Sequence, residues 1–218
     1  LHPQVDLATE PRWARQAQSF SSTAEATSRL LEAFLEGLQG QELGPRSIAA
    51  TVKHFPGGGP QLDGEDPHFP YGREQVYPAG RFEEHLAPFR AAIRAGAAAI
   101  MPYYGMPQGL ELDGEPVEEV GFAFNRQLIT GLLRQKLGFT GVVLSDFGLV
   151  TDIEIMGKPF PARAWGVEHL SETERVGRLF AAGVDQLGGE KDTDLIAAAV
   201  AEGQLTSERI RESALRIV

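Results

Sequence analysis

The chain has 218 residues with 30 acidic and 20 basic side chains, a formal charge of −10 that excludes the basic surface by which proteins track nucleic-acid phosphates. Without a cysteine it has no disulfide, no thiolate metal site and no cysteine nucleophile. At 42% hydrophobic and 23% charged it has a globular composition, and its most apolar stretch, residues 95–104, is broken by Gly and Pro and falls short of the roughly 20 apolar residues of a membrane helix.

No basic start followed by an apolar core opens the chain, so no signal peptide is read there. Residues 4–8 predict a weak strand and residues 22–38 a helix. A β-branched run over 48–55 predicts the next strand and leads into a long stretch, 56–80, of Gly, Pro and charge. A helix over 82–94 precedes a strand over 97–104, a helix over 122–137 precedes a strand over 141–146, and a helix over 168–182 precedes a strand over 183–187. Helices over 193–202 and 207–218 complete the chain. Gly138 stands where a helix C-terminal glycine is expected, and Ser171 with Glu174 has the spacing of a capping box.

Strands alternating with helices argue for an α/β fold of βα units on a parallel sheet. A dinucleotide-binding sheet would open its first helix with G-x-G-x-x-G, whereas "PGGGPQLDGED" leads into a loop, so the (β/α)8 barrel fits better. Only about five of the eight strands of such a barrel are readable. Residues 1–218 therefore read as a partial, TIM-type barrel domain.

In a barrel of this kind the active site lies where the strands end. The residues found there are Arg12, Lys53, His54, Tyr103, Tyr104, Asp146 and Asp185, all polar or aromatic. Asp146, in "GVVLSDFG", follows three apolar residues and is expensive to bury unless cations or hydroxyls compensate it. It is either a capping residue or a catalytic one. Lys53 and His54 are successive on a strand and point to opposite faces, so both enter the barrel mouth only if the backbone departs there, for example through a cis peptide. Otherwise Lys53 sits on the rim with His54 packed below. Gly57, Gly58 and Gly59 serve a sharp bend, a close ligand approach or a hinge. In "DGEDPHF", Asp66 and His68 lack the helical spacing of metal ligands, and a loop turn is the default.

Taken in order, "DLATEPRWAR", "TVKHFPGGG", "IMPYYG", "VVLSDFG" and "AAGVDQLGGE" resemble the N-terminal barrel domain of family 3 glycoside hydrolases, the β-glucosidase group. The resemblance implies a retaining β-glycosidase that removes terminal β-linked glucose without metal or organic cofactor. It implies Asp146 as the nucleophile, Arg12, Lys53, His54 and Tyr103 as residues that meet the sugar, and glycines that bring backbone close to it. In the family's plant members a Trp follows the nucleophile, where this chain has Phe147. The acid/base is implied to lie in a following domain that this chain does not contain, and further strands to precede it. An N-acetylhexosaminidase branch carries its acid/base as an Asp-x-His dyad in the loop after the Lys-His pair. Asp66 and His68 keep that alternative open, although Gly58 replaces an expected His. A non-catalytic sugar-binding module is the remaining reading. The expected partner is a β-glucoside or oligosaccharide substrate, with no nucleic acid and no membrane.

Overall fold

The computed structural model describes residues 1–218, apart from the side chain of Ile155. Its centre is a parallel sheet of four strands, β1 (Thr51–Phe55), β2 (Ala99–Pro102), β3 (Val142–Phe147) and β4 (Gln186–Gly188), paired in that order. Thr51 is opposite Ala99, Ala99 opposite Val142, and Gln186 opposite Leu144. The predicted strand over 4–8 is reduced to one parallel bridge, Gln4 to Lys53, with the Val5 amide donating to the Lys53 carbonyl at 2.7 Å. That segment adds a fifth position outside β1.

Spatial order thus follows chain order across the whole sheet. An open doubly wound sheet reverses at a switch point, whereas a barrel winds in one direction, so the order matches an incomplete TIM-type barrel. Val52, Phe55, Ile100, Met101 and Val143 are buried, as expected for strands covered on both faces.

Helix α1 (Ala24–Gln39) starts at Thr23, whose hydroxyl accepts from the Ala26 amide, and it buries Leu31 and Leu35. It packs on α2 (Phe82–Arg94), which buries Leu86 and Phe89, each worth about 1.5–3 kcal/mol relative to exposure. The single helix predicted over 122–137 is divided. Asn125 accepts from the Leu128 amide at 3.0 Å, starting a wider π-type turn at Gln127–Lys136 after the short 3-10 segment Phe122–Phe124. Helix α3 (Glu172–Ala182) has the predicted capping box, and Gly183 ends it at φ 119°, a conformation costly for any other residue. Helices α4 (Thr193–Ala201) and α5 (Ser207–Ile217) close the chain.

Candidate active site

β3 carries Ser145 and Asp146 to the C-terminal edge of the sheet, and Asp146 is only 7% exposed there. Its two oxygens are treated differently. Oδ1 accepts from the Tyr104 hydroxyl at 2.9 Å and from the Phe147 amide at 2.8 Å. Oδ2 is buried, has no hydrogen-bond partner among the described residues, and stands 3.7 Å from His54 Nε2. Burial first, and then the adjacent carboxylate, push the Tyr104 phenol well above its ordinary range, so it remains a donor.

The Lys53–His54 peptide is cis, and the His54 side chain reaches Asp146 while Lys53 lies within the influence of the Asp146 and Asp6 charges. Lys53 is half-buried, and desolvation followed by the charge of Arg15 pulls its ammonium below the ordinary lysine range, against the opposing attraction of Asp146 and Asp6. His54 is held from both ring nitrogens, by Asp6 Oδ2 at 2.7 Å from Nδ1 and by Arg15 Nη2 at 3.1 Å from Nε2. A guanidinium only donates, so Nε2 is the acceptor in this arrangement and Nδ1–H donates to Asp6. Asp6 itself is fully buried. Its Oδ1 also accepts from the His54 amide at 3.3 Å and the Gly58 amide at 2.6 Å.

Three residues named from the sequence take positions other than the expected ones. Arg12 is exposed and pairs with Glu10 at 2.8 Å and Asp63 at 3.5 Å, holding the Glu10 carboxyl at about 2. Arg15 reaches His54 instead, because the 3-10 turn Ala14–Gln18 carries it inward. Tyr103 is fully buried beneath the site, its ring against His54 at 4.8 Å and its hydroxyl 3.4 Å from Gln61. β2 ends at Pro102, and the irregular chain beyond it turns Tyr104, rather than Tyr103, toward Asp146. Asp185 precedes β4 and accepts from the Val143 amide at 3.0 Å, which places it at the opposite end of the sheet from Asp146.

The glycines also have another neighbour than the one expected. A Cβ on Gly58 would stand 2.5 Å from the Tyr103 ring, and one on Gly59 would stand 2.1 Å from the Leu7 carbonyl oxygen. Their bare backbone is what lets the loop close onto the protein and lets the Gly58 amide reach Asp6.

Asp66 and His68 do come to the site. His68 Nδ1 lies 2.5 Å from Asp66 Oδ1, and the His68 ring packs at 4.5 Å on Tyr104, the residue that holds Asp146. Burial acts to raise the Asp66 carboxyl, but hydrogen bonds from the His68 side chain and amide and from Trp13 outweigh it and bring it down to about 2. Among the described residues no three His, Asp or Glu side chains converge as a metal-ligand set.

Asp6 and Arg15 are the residues that sequence reasoning passed over, and Tyr104 was named at its strand end without a role beside Asp146. Each lies within or beside a quoted motif, so the signal was present but its register was not.

The family model described as the glycosyl hydrolase family 3 N-terminal domain matches residues 1–218. The chain is 52% identical over 218 residues to a probable β-glucosidase C of Aspergillus flavus, covering all of this chain and 34% of that protein. It is 39% identical to a periplasmic β-glucosidase/β-xylosidase of Dickeya chrysanthemi, again over its whole length and 35% of the relative. The solved structure of a β-glucosidase from Erythrobacter marinus superposes with a TM-score of 0.77 at 28% identity, over 100% of this chain and 26% of that one. The chain spans about a third of the length of these curated relatives. Since the match runs from the first residue to the last and the sheet order agrees with it, the chain belongs to glycosyl hydrolase family 3, within its N-terminal domain.

Proposed function

We propose that the protein to which residues 1–218 belong is a retaining, exo-acting β-glucosidase and that Asp146 is its nucleophile. The observation that supports this most directly is the asymmetry of the Asp146 carboxylate, with Oδ1 held by two donors and the buried Oδ2 left unpartnered beside His54. Oδ2 attacks the anomeric carbon while the bond from that carbon to the leaving oxygen breaks and an acid delivers a proton to that oxygen. Water, losing a proton to the same group, then cleaves the glycosyl ester and restores the carboxylate. Lys53, His54 and Arg15 supply the cations and ring nitrogen that meet sugar hydroxyls, and Tyr104 positions the nucleophile. Two carboxyl groups are sufficient for both steps, so the scheme invokes no metal or organic cofactor. The acid/base and the remaining barrel strands are assigned to parts of the longer protein outside this chain.

A second reading assigns the proton transfer to His68, oriented by Asp66. It is favoured by the packing of His68 on Tyr104, which brings the dyad beside the nucleophile.

The test is intact-protein mass and peptide mapping of the full-length protein after incubation with an activated 2-deoxy-2-fluoro-glucoside. A single adduct on Asp146 is expected, and an adduct on another residue, or none, overturns the assignment. For the dyad, azide is added to His68→Ala with an aryl glucoside. Restored turnover with formation of a glucosyl azide identifies His68 as the acid/base, and unchanged turnover in that variant removes it from the role.

A further inference from the structure

We infer that Asp6 is a positioning residue for the nucleophile: by holding the ring proton of His54 on Nδ1, it keeps Nε2 bare against the Asp146 oxygen that attacks. The inference rests on the reading of Asp146 as nucleophile and adds to it a residue that acts through His54.

The placement starts in the backbone. Gln4 bridges Lys53 in parallel and the Val5 amide donates to the Lys53 carbonyl, a register that brings Asp6 beside His54. Both side chains are closed off from solvent, at 0% and 1% exposure. The imidazole packs on the Tyr103 ring at 4.8 Å and is held at both nitrogens. Its plane is therefore fixed, and the location of its proton is the freedom that remains.

Three donors converge on Asp6. Oδ1 takes the backbone amides of His54 and Gly58, and Oδ2 takes Nδ1–H at 2.7 Å. A carboxylate accepts all three, whereas an amide in its place has one accepting oxygen and donates with its other arm. With the proton on Nδ1, Nε2 keeps its lone pair for the Arg15 N–H at 3.1 Å and presents no hydrogen to Asp146 Oδ2 at 3.7 Å. With the proton on Nε2, the N–H would oppose the Arg15 donor and turn toward Oδ2, drawing on the electron pair that forms the new bond. An aspartate that only tied the loop to the strand would need the two backbone amides alone; the contact to Nδ1 carries the further role.

Asp6→Asn separates the two roles. Its oxygen serves both backbone amides from the place of Oδ1, while its NH2, in the place of Oδ2, donates to Nδ1 and drives the ring proton to Nε2. The loop stays tied and the tautomer reverses.

The experiment uses the full-length protein labelled with 15N-histidine, its ring nitrogens read by magic-angle-spinning NMR and assigned by the signals missing from His54→Gln. Wild type is expected to show Nδ1 protonated and Nε2 bare, and Asp6→Asn the reverse, a difference that a merely structural role would not produce. Alongside, reaction with the activated 2-deoxy-2-fluoro-glucoside measures the step in which Oδ2 bonds to the anomeric carbon and the leaving group departs with its electron pair. In Asp6→Asn the saturating rate constant of that step should fall at least about tenfold, the effect of committing the attacking oxygen to a hydrogen bond, while the half-saturating concentration stays within about threefold. Arg15→Met, with Asp6 intact, should keep the proton on Nδ1. The inference alone is overturned, with labelling at Asp146 intact, by a proton on Nε2 in wild type or in Arg15→Met. It is overturned equally by a proton that stays on Nδ1 in Asp6→Asn, or by an unchanged rate constant there once the tautomer has reversed. Labelling of the wild type at another residue overturns the nucleophile and this role with it. If Asp6→Asn does not fold, the wild-type and Arg15→Met spectra decide the matter.

Discussion

Asp146 and Asp185 sit at opposite ends of neighbouring strands, are 7% and 3% exposed, and are compensated in contrary ways. Asp185 accepts from the Val143 amide and the Ser213 hydroxyl, and it pairs with Arg134, with Arg209 at 3.3 Å and with Arg216 at 2.8 Å. Asp146 has a phenol and its neighbour's amide on one oxygen and, among the described residues, no hydrogen-bond partner on the other. Burial alone therefore says little about what a carboxylate is for. A saturated aspartate ties elements together, here the strands to α5 and the π-type turn, whereas one with an unpartnered oxygen keeps that oxygen free for another contact.

Replacing both residues gives the widest separation. With Asp146 as the proposed nucleophile, Asp146→Asn is expected to lower kcat of the full-length enzyme by more than about a thousandfold with no loss of thermal stability, because the attacking carboxylate goes while the shape remains. A melting curve beside the kinetics checks both halves. Asp185→Ala should do the reverse, costing about 3 kcal/mol in denaturant unfolding by leaving the Val143 amide and the part-buried Arg134 and Arg209 without their acceptor, with near-normal kcat in the molecules that stay folded. Should Asp185→Ala abolish kcat in well-folded protein, the division between a structural and a reactive aspartate breaks down.

Asp66 tests the contrast on the loop side. Its carboxyl is held at about 2 against an ordinary value near 3.8, so its contribution, about 2 kcal/mol, is fully present above pH 4 and is lost as pH falls through 2. Chemical denaturation between pH 7 and pH 2.5 should show Asp66→Asn less stable than wild type at neutral pH and converging with it in acid. A constant difference across that range would show that the shift does not exist. The smallest expected effect separates the two arginines of "EPRWAR". Arg15→Ala should raise KM for an aryl glucoside about tenfold, and Arg12→Ala should stay within about twofold, since its partners are exposed.

Much of this arrangement is legible in sequence. The six helices and four sheet strands fall at or near their predicted places because hydrophobic period and capping residues are local signals. The burial of Asp146 at a strand end is legible because it follows an apolar run, and a carboxylate there needs compensating donors. Tyr103 and Tyr104 could not be separated, because they lie beyond the end of β2 and alternation no longer fixes which one faces inward. Arg12 and Arg15 could not be separated because a 3-10 turn, not a strand, carries the second. Asp185 was misplaced because β4 begins three residues later than the run 183–187 suggested and continues through glycine, whose ladder bonds require no side chain.

The indole of Trp165 donates to the Pro67 carbonyl at 2.8 Å, and Phe160 meets Phe69 nearby, so the two long loops on either side of the entrance are fastened to each other. They constitute one structural unit in this chain. Grafting only the first loop from a relative leaves an indole without its acceptor and a ring without its neighbour, whereas exchanging both preserves the seam. An exchange of loops in this chain is therefore expected to succeed in pairs, and a cut between the two to carry a stability cost that a cut outside them does not.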